Sequence, residues 1–250
     1  MVNKITSWIK NYCSENKIES LVVGISGGID SSVVSTLCAL TNLEVYAISM
    51  PINQIKSQHD LSLDHGNWLT ENYRNVHHLT IDLSSLYNHF QKSLSSFESE
   101  HAFANSKSRL RMVTLHHISS STKGIVVGTG NKVEDFGVGF YTKYGDGGVD
   151  ISPIADLLKT EVYKIGEELN IIQDIMNAPP TDGLWDDGKT DEDQIGATYA
   201  ELEWAMNYNG DVKKLDEREK EILNIYKNFN LANQHKMIEI PVCLIPENLK

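Results

Sequence analysis

The stretch "LVVGISGGIDSSVVSTL", residues 21–37, constrains the fold more than any other part of the chain. Leu21 to Ile25 is an unbroken apolar run, which suits a strand buried on both faces. From Ser31 onward, Val33, Val34, Leu37 and Leu40 recur at helical spacing. A buried strand that turns through Ser-Gly-Gly straight into a helix is the opening unit of a parallel sheet, because parallel neighbours need a crossover. At such a turn successive backbone N–H groups can converge on one anion, helped by the positive end of the helix. Gly27 and Gly28 leave room for that approach, and Ser26, Ser31 and Ser32 add hydroxyl donors. The lysine of a GxxxxGK[ST] loop is missing. Asp30 stands at the helix start, where it is either a helix cap or, because a carboxylate beside phosphate needs a cation between them, a magnesium ligand.

The rest of the chain repeats this alternation. Residues 3–17 place Ile5, Trp8, Ile9 and Tyr12 at helical spacing, and three further β-branched runs follow at 44–49, 75–81 and 124–129. The segments between them, 57–73, 84–97 and 105–121, are long enough for helices. The expected architecture is α/β: a doubly wound, Rossmann-like parallel sheet with helices on both faces. Ligands in such sheets bind beyond the carboxyl ends of the strands, so Gly24 to Asp30, Ser49 to Asn53 and Gly128 to Glu134 should converge on one crevice. After residue 150 the pattern is helical, interrupted by "NAPPTDGLWDDGKTDED", whose Pro, Gly and Asp fit a long loop. A chain of 250 residues with 40% hydrophobic residues can bury one sizeable core, so residues 1–250 read as a single domain.

Composition excludes some classes of function. Acidic residues outnumber basic ones by 34 to 22 and the net charge is -12, the opposite of a nucleic-acid-binding face. Any anionic ligand must then meet a local basic pocket. Cys13, Cys38 and Cys243 have no CxxC spacing, which fits buried thiols in a reducing cytoplasm. No apolar run approaches a membrane span of about 18 residues. His77-His78 and His116-His117 are not chelates, because adjacent residues face opposite sides of a strand and lie about 100° apart on a helix.

The Ser-Gly-Gly-x-Asp-Ser loop at 26–31 resembles that of the ATP pyrophosphatase superfamily, whose members hold the pyrophosphate end of ATP and activate a carboxyl or carbonyl oxygen. Downstream stretches narrow the likeness. "NSKSRLRM" at 105–112 resembles the Asn-x-x-Ala-Arg-x-Arg-Met signature of NAD synthetases, with Ser108 in place of alanine. "GTGNKVEDFGVGFYTKYGDGGVDISPIADLLKTEVYKIG" at 128–166 resembles the longest signature of that family. "LWDDGKTDEDQIG" at 184–196 and His235-Lys236 also correspond, although Met237 stands where the family has arginine. The likeness runs roughly from residue 20 to 240 and points to the ammonia-dependent NAD synthetases.

That resemblance implies an adenine nucleotide alpha hydrolase-like fold, ATP as co-substrate with Mg2+, and a twofold cytoplasmic homodimer. Its reaction would convert deamido-NAD, ATP and ammonia into NAD, AMP and pyrophosphate through an adenylated carboxylate. Carried over by motif, Gly24, Ile25, Ser26, Gly27, Gly28, Ile29, Asp30 and Ser31, with Thr129, Lys159 and Thr181, would meet ATP. Arg109, Lys143, Asp150, His235 and Lys236 would meet deamido-NAD. Asp30 and Glu134 would hold magnesium, and Asp30, Lys159 and Asp150 would be catalytic, Asp150 as the group that takes a proton from ammonium. On a helix from Asn105, residues 105, 109 and 112 share one face and 107 and 111 another, so Arg109 and Arg111 should not enter the same pocket. Residues 179–194 are a candidate lid that shields the adenylate from water. About twenty residues precede the first strand, too few for a glutamine amidohydrolase domain, so free ammonia is the expected nitrogen source unless a separate subunit supplies it. The alternatives are another synthetase with the same loop, of the GMP, argininosuccinate or transfer-RNA class, and a non-catalytic ATP-binding module. The first would lack "TKYGDGGVD" and the second would not need a second acidic site.

Overall fold

Four parallel strands in the order β3-β2-β1-β4 form the centre of the molecule. The computed structural model describes residues 1–54, 56–181 and 190–250. In chain order these hold α1 (Val2–Asn16), β1 (Ser20–Gly24), α2 (Ile29–Ala39), β2 (Glu44–Ser49), α3 (Lys56–Asn72), β3 (Val76–Thr80), α4 (Ser84–Ser93), α5 (Glu100–Ser121) and β4 (Gly124–Val126). A π-helical turn over Val133–Val138 follows, then α6 (Lys159–Glu168), α7 (Gln173–Asn177), α8 (Asp191–Ile195), α9 (Tyr199–Asn207) and α10 (Glu217–Met237).

The expected doubly wound sheet is present. The chain winds from β1 outward to β3, then returns to place β4 on the other side of β1. That reversal makes the gap beyond the ends of β1 and β4 the switch point where such sheets bind ligands. Strand alternation sends β1 side chains to two cores. Leu21 and Val23 pack with Ile9, Val33, Leu37 and Ile165 on one face, whereas Val22 packs with Ile48, Tyr87 and Leu115 on the other. A third apolar cluster joins the π-helical turn to α9 and α10 through Val133, Val138, Leu202 and Ile222. This helical layer overhangs the switch point and supplies its far wall.

Some boundaries moved. The helix expected from 105 begins at Glu100, because the Ser99 hydroxyl accepts from Ala102 N and caps it. The helical stretch 190–208 is two helices, since Gly196 adopts φ 84° and Thr198 caps a new start. Part of the proposed lid, residues 182–189, lies outside the described residues.

Candidate active site

A crevice of about 780 Å³ opens at the switch point, lined by the loop from Gly24 to Ser31, by α5, by the β4 exit and by Lys159. The loop is held by its own serines. Ser31 Oγ donates to Gly28 O at 3.0 Å and accepts from Ser26 N at 3.2 Å, while Ser32 Oγ donates to Gly28 O at 3.0 Å. Gly27 has φ 87°, and a Cβ there would lie 2.8 Å from Leu61 Cβ and from Ser62 N. Any side chain would therefore be strained and would push the loop off α3.

Beside the loop lies a charged cluster. Lys159 Nζ, 3% exposed at the start of α6, donates to Asp30 Oδ2 at 2.5 Å and to Glu134 Oε1 at 3.0 Å. Asn131 Nδ2 donates to Asp30 Oδ1 at 3.1 Å, and Asn131 Oδ1 accepts from the N–H groups of Val133 and Glu134. Tyr199 from α9 donates to Glu134 Oε1 at 2.5 Å, and its ring centroid lies 4.6 Å from Lys159 Nζ. Burial alone would push both carboxyls up and the lysine down. The close pairing outweighs it at Lys159, which is held charged above its ordinary range, and at Glu134, which is held down; Asp30 stays above its ordinary value. Burial, with Glu134, Asp146 and Asp30 as neighbours, pushes the crevice carboxyl of Asp135 up to about 8.

No group of three or more His, Cys, Asp or Glu capable of holding a metal occurs among the described residues. Two carboxylates already bridged by one cationic group are nonetheless a donor set that suits magnesium, which takes one or two carboxylates and completes its shell with phosphate oxygens and water.

The expected ATP residues Gly24 to Ser31, Thr129, Lys159 and Thr181 all line this crevice, as do Glu134 and Lys236. Arg109, Lys143, Asp150 and His235 do not line it. Arg109 Nη2 donates to Lys143 O at 3.3 Å, and Lys143 Nζ donates to His235 O at 2.6 Å, so these three form a separate string outside. Asp150 Oδ2 accepts from Val126 N at 2.7 Å on the strand side. Lys236 Nζ donates to the carbonyls of Gly139 and Tyr141, and burial lowers its pKa.

On α5 the two arginines separate as expected, but it is Arg111 that enters the crevice, with Nε bonded to Met50 O at 3.0 Å. The crevice stripe runs through Ala104, Ser108, Arg111 and Leu115, with Asn105 and Met112 beside it. Asn105 and Met112 lie at the edge of that stripe, and Arg109, about 140° around the helix from Ala104, lies beyond it. Sequence reasoning also missed Asn131, Tyr199 and Asp135, and left Arg111 open between phosphate and structure. A readable sign existed for Asn131, whose side chain makes an Asx turn into the next residues. None marked Tyr199, which reaches Glu134 across 65 positions.

Comparison with known proteins places this crevice in context. The profile of the NAD synthase family matches residues 1–239. An NH(3)-dependent NAD(+) synthetase of Alkaliphilus metalliredigens is 34% identical, over 96% of this chain and 96% of its own. Among solved structures, an NMN synthetase from Francisella tularensis superposes with a TM-score of 0.85 at 31% identity, over 98% of this chain and 97% of that one. An NH3-dependent NAD synthetase from Campylobacter jejuni gives a TM-score of 0.78 at 26% identity, with the same coverage.

Proposed function

The chain belongs to the NAD synthase family, and on that premise we propose that it is a ligase that amidates deamido-NAD with ammonia and ATP, giving NAD, AMP and pyrophosphate. The observation that carries the reading is Lys159, brought across 129 positions to bridge Asp30 and Glu134 beside an anion-binding loop.

The substrate carboxylate is already an anion, so its attack on the α-phosphate needs no base. The obstacle is repulsion from the triphosphate, which the loop amides and the Lys159 ammonium offset. Gly27 and Gly28 let the backbone close on the departing pyrophosphate, and Arg111 adds a cation to the crevice lining. Asp30 and Glu134 would hold magnesium, which when bound neutralises phosphate charge. In the second step ammonia attacks the acyl adenylate. Ammonium has to lose a proton first, and because Asp150 is turned away, we assign that step to Asp135, a crevice carboxyl whose affinity for a proton is raised to about 8. We further propose that residues 1–250 act as one domain using free ammonia, as a twofold homodimer in the cytoplasm. No described helix is long and apolar enough to cross a membrane.

A second reading has its own support. The structure that superposes with a TM-score of 0.85 is an NMN synthetase, and Arg109, Lys143 and His235, expected on the dinucleotide, lie outside the crevice. On that reading the activated carboxyl belongs to nicotinate mononucleotide. One assay decides: AMP formation from ATP, magnesium and ammonium, with deamido-NAD or nicotinate mononucleotide as acceptor. A higher kcat/KM for the dinucleotide sustains the first reading, a higher one for the mononucleotide sustains the second, and no AMP with either defeats both.

A further inference from the structure

His77 and His78 face opposite sides of β3, and only one of them looks outward. His77 Nε2 lies 2.6 Å from Glu44 Oε2 at the surface. The His78 ring packs on Gly66 of α3, so closely that a Cβ at Gly66 would meet its Cε1 and Nδ1 at 2.3 Å. His78 Nε2 is 2.9 Å from Ser49 Oγ, Ser49 Oγ is 2.6 Å from Ser62 Oγ, and Ser62 Oγ is 2.8 Å from Ile25 O.

The direction of this chain is fixed by proton counting. A carbonyl oxygen only accepts, so the single Ser62 proton goes to Ile25 O. Ser62 Oγ must then accept from Ser49, and Ser49 Oγ must accept from a proton on His78 Nε2. The far end of the chain meets the phosphate loop. Ile25 C=O and Ser26 N–H belong to one peptide unit; the carbonyl is held by Ser62 and the N–H by Ser31 Oγ. That plane, clamped at both ends, sets the direction in which the backbone enters Gly27.

We propose that His78 is a positioning residue for the phosphate loop, acting through Ser49 and Ser62 on the Ile25–Ser26 peptide. Its Nε2 donor fixes the polarity of the chain. Without that donor the reverse arrangement is allowed: Ser62 can donate to Ser49, and the Ile25 carbonyl loses its bond. The loop amides then sample orientations that do not face the pyrophosphate. The inference rests on reading this loop as the ATP site.

The experiment starts with native protein, where AMP formation from ATP, ammonium and either pyridine nucleotide tests that reading by itself. His78→Phe should raise KM for ATP about threefold to tenfold, the worth of one hydrogen bond. The acceptor KM should stay within about twofold, since the acceptor does not depend on that one bond. His78→Gln, which restores an N–H at similar reach, should return KM for ATP toward the native value. Ser62→Ala should raise KM for ATP at least as much, and the double variant should be no worse than Ser62→Ala, because both break one chain. Ser49→Ala removes the competing acceptor for the Ser62 proton, so Ser62 keeps its bond to Ile25 O and KM for ATP should stay near native, while Ser62→Ala keeps the question open to test if His78→Phe does not fold. A native KM for ATP in Ser62→Ala or His78→Phe, with only the melting temperature lowered, overturns the proposal. So does a double variant equal to the product of the singles.

Discussion

Two buried polar clusters flank the phosphate loop, and opposite means hold them together. On the β4 side Asp30, Glu134 and Lys159 are charged groups that stabilise one another. On the α3 side His65, His78, Ser35, Ser49 and Ser62 are neutral, and their stability depends on each proton having a direction. Burial of His65 pushes its imidazole down to about 3, with His78 adding to the effect, so it stays uncharged. The contrast assigns different duties. The charged side is built to meet a polyanion and rearrange around it, whereas the neutral side offers nothing to a phosphate and can only hold the loop still.

By that contrast, the largest effect comes from removing Lys159, which bridges the two carboxyls of the charged side. Lys159→Met leaves two buried carboxylates facing each other and should cost about 3–5 kcal/mol of stability, as breaking buried ion pairs does. It should also abolish measurable AMP formation. Thermal unfolding and the AMP assay check both, and a variant of native stability and turnover would show that the bridge to Asp30 and Glu134 is incidental. Tyr199→Phe comes next. Glu134 loses a hydroxyl donor but keeps Lys159, so a loss of about 1.5–3 kcal/mol is expected, the worth of a hydrogen bond to a charged group. Denaturant unfolding measures it, and an unchanged midpoint would remove Tyr199 from the cluster.

The difference between the sides also explains what could be read before the fold was known. The loop, the strand at 44–49 and the winding of the sheet follow from apolar runs and glycines, which act locally. Asp30 was legible in the loop itself, Glu134 and Lys159 came from resemblance, and the crevice gathers all three. Tyr199 was invisible because its partner lies 65 positions away, and no local pattern encodes a contact between layers. Asp150, Arg109 and Lys143 lie in recognised strings but point elsewhere, because a motif fixes the order of residues and not their rotation about a helix or strand. His78 reads as structural in the sequence, because no local pattern encodes the hydroxyl chain that only tertiary packing assembles.

The neutral side predicts a pH signature of its own. An imidazole whose folded pKa lies near 3, against an ordinary value of 6.5, contributes stability that is complete above the ordinary value and is lost as pH falls toward the folded one. Between about pH 7.5 and about pH 5 the loss from His65 should be about 2 kcal/mol. His65 stacks on Trp68 at 5.6 Å, with Nε2 2.8 Å from Ser35 Oγ and His78 as the titratable neighbour that adds to its shift. His65→Leu should flatten the dependence of the melting temperature over that range, and an equally steep profile in the variant would place the acid sensitivity elsewhere.

The smallest effect tests whether neutrality needs its hydroxyl partners at all. Ser35 Oγ donates to Ser32 O at 3.1 Å, so its proton is already used, and His65 Nε2 is then the donor to Ser35 Oγ. That assignment leaves Nδ1 as a bare lone pair, which agrees with its having no partner. Ser35→Ala would leave the Nε2 proton only the Ser32 carbonyl as a partner, at a cost of up to about 1 kcal/mol at neutral pH. It should also make the ring easier to keep neutral in the other tautomer, so the acid slope survives while the plateau drops. The nitrogen chemical shifts of His65 read the tautomer directly. If Ser35→Ala leaves the Nε2–H tautomer and the plateau unchanged, the α3 cluster is held by packing against Trp68, and its hydrogen bonds are along for the fit.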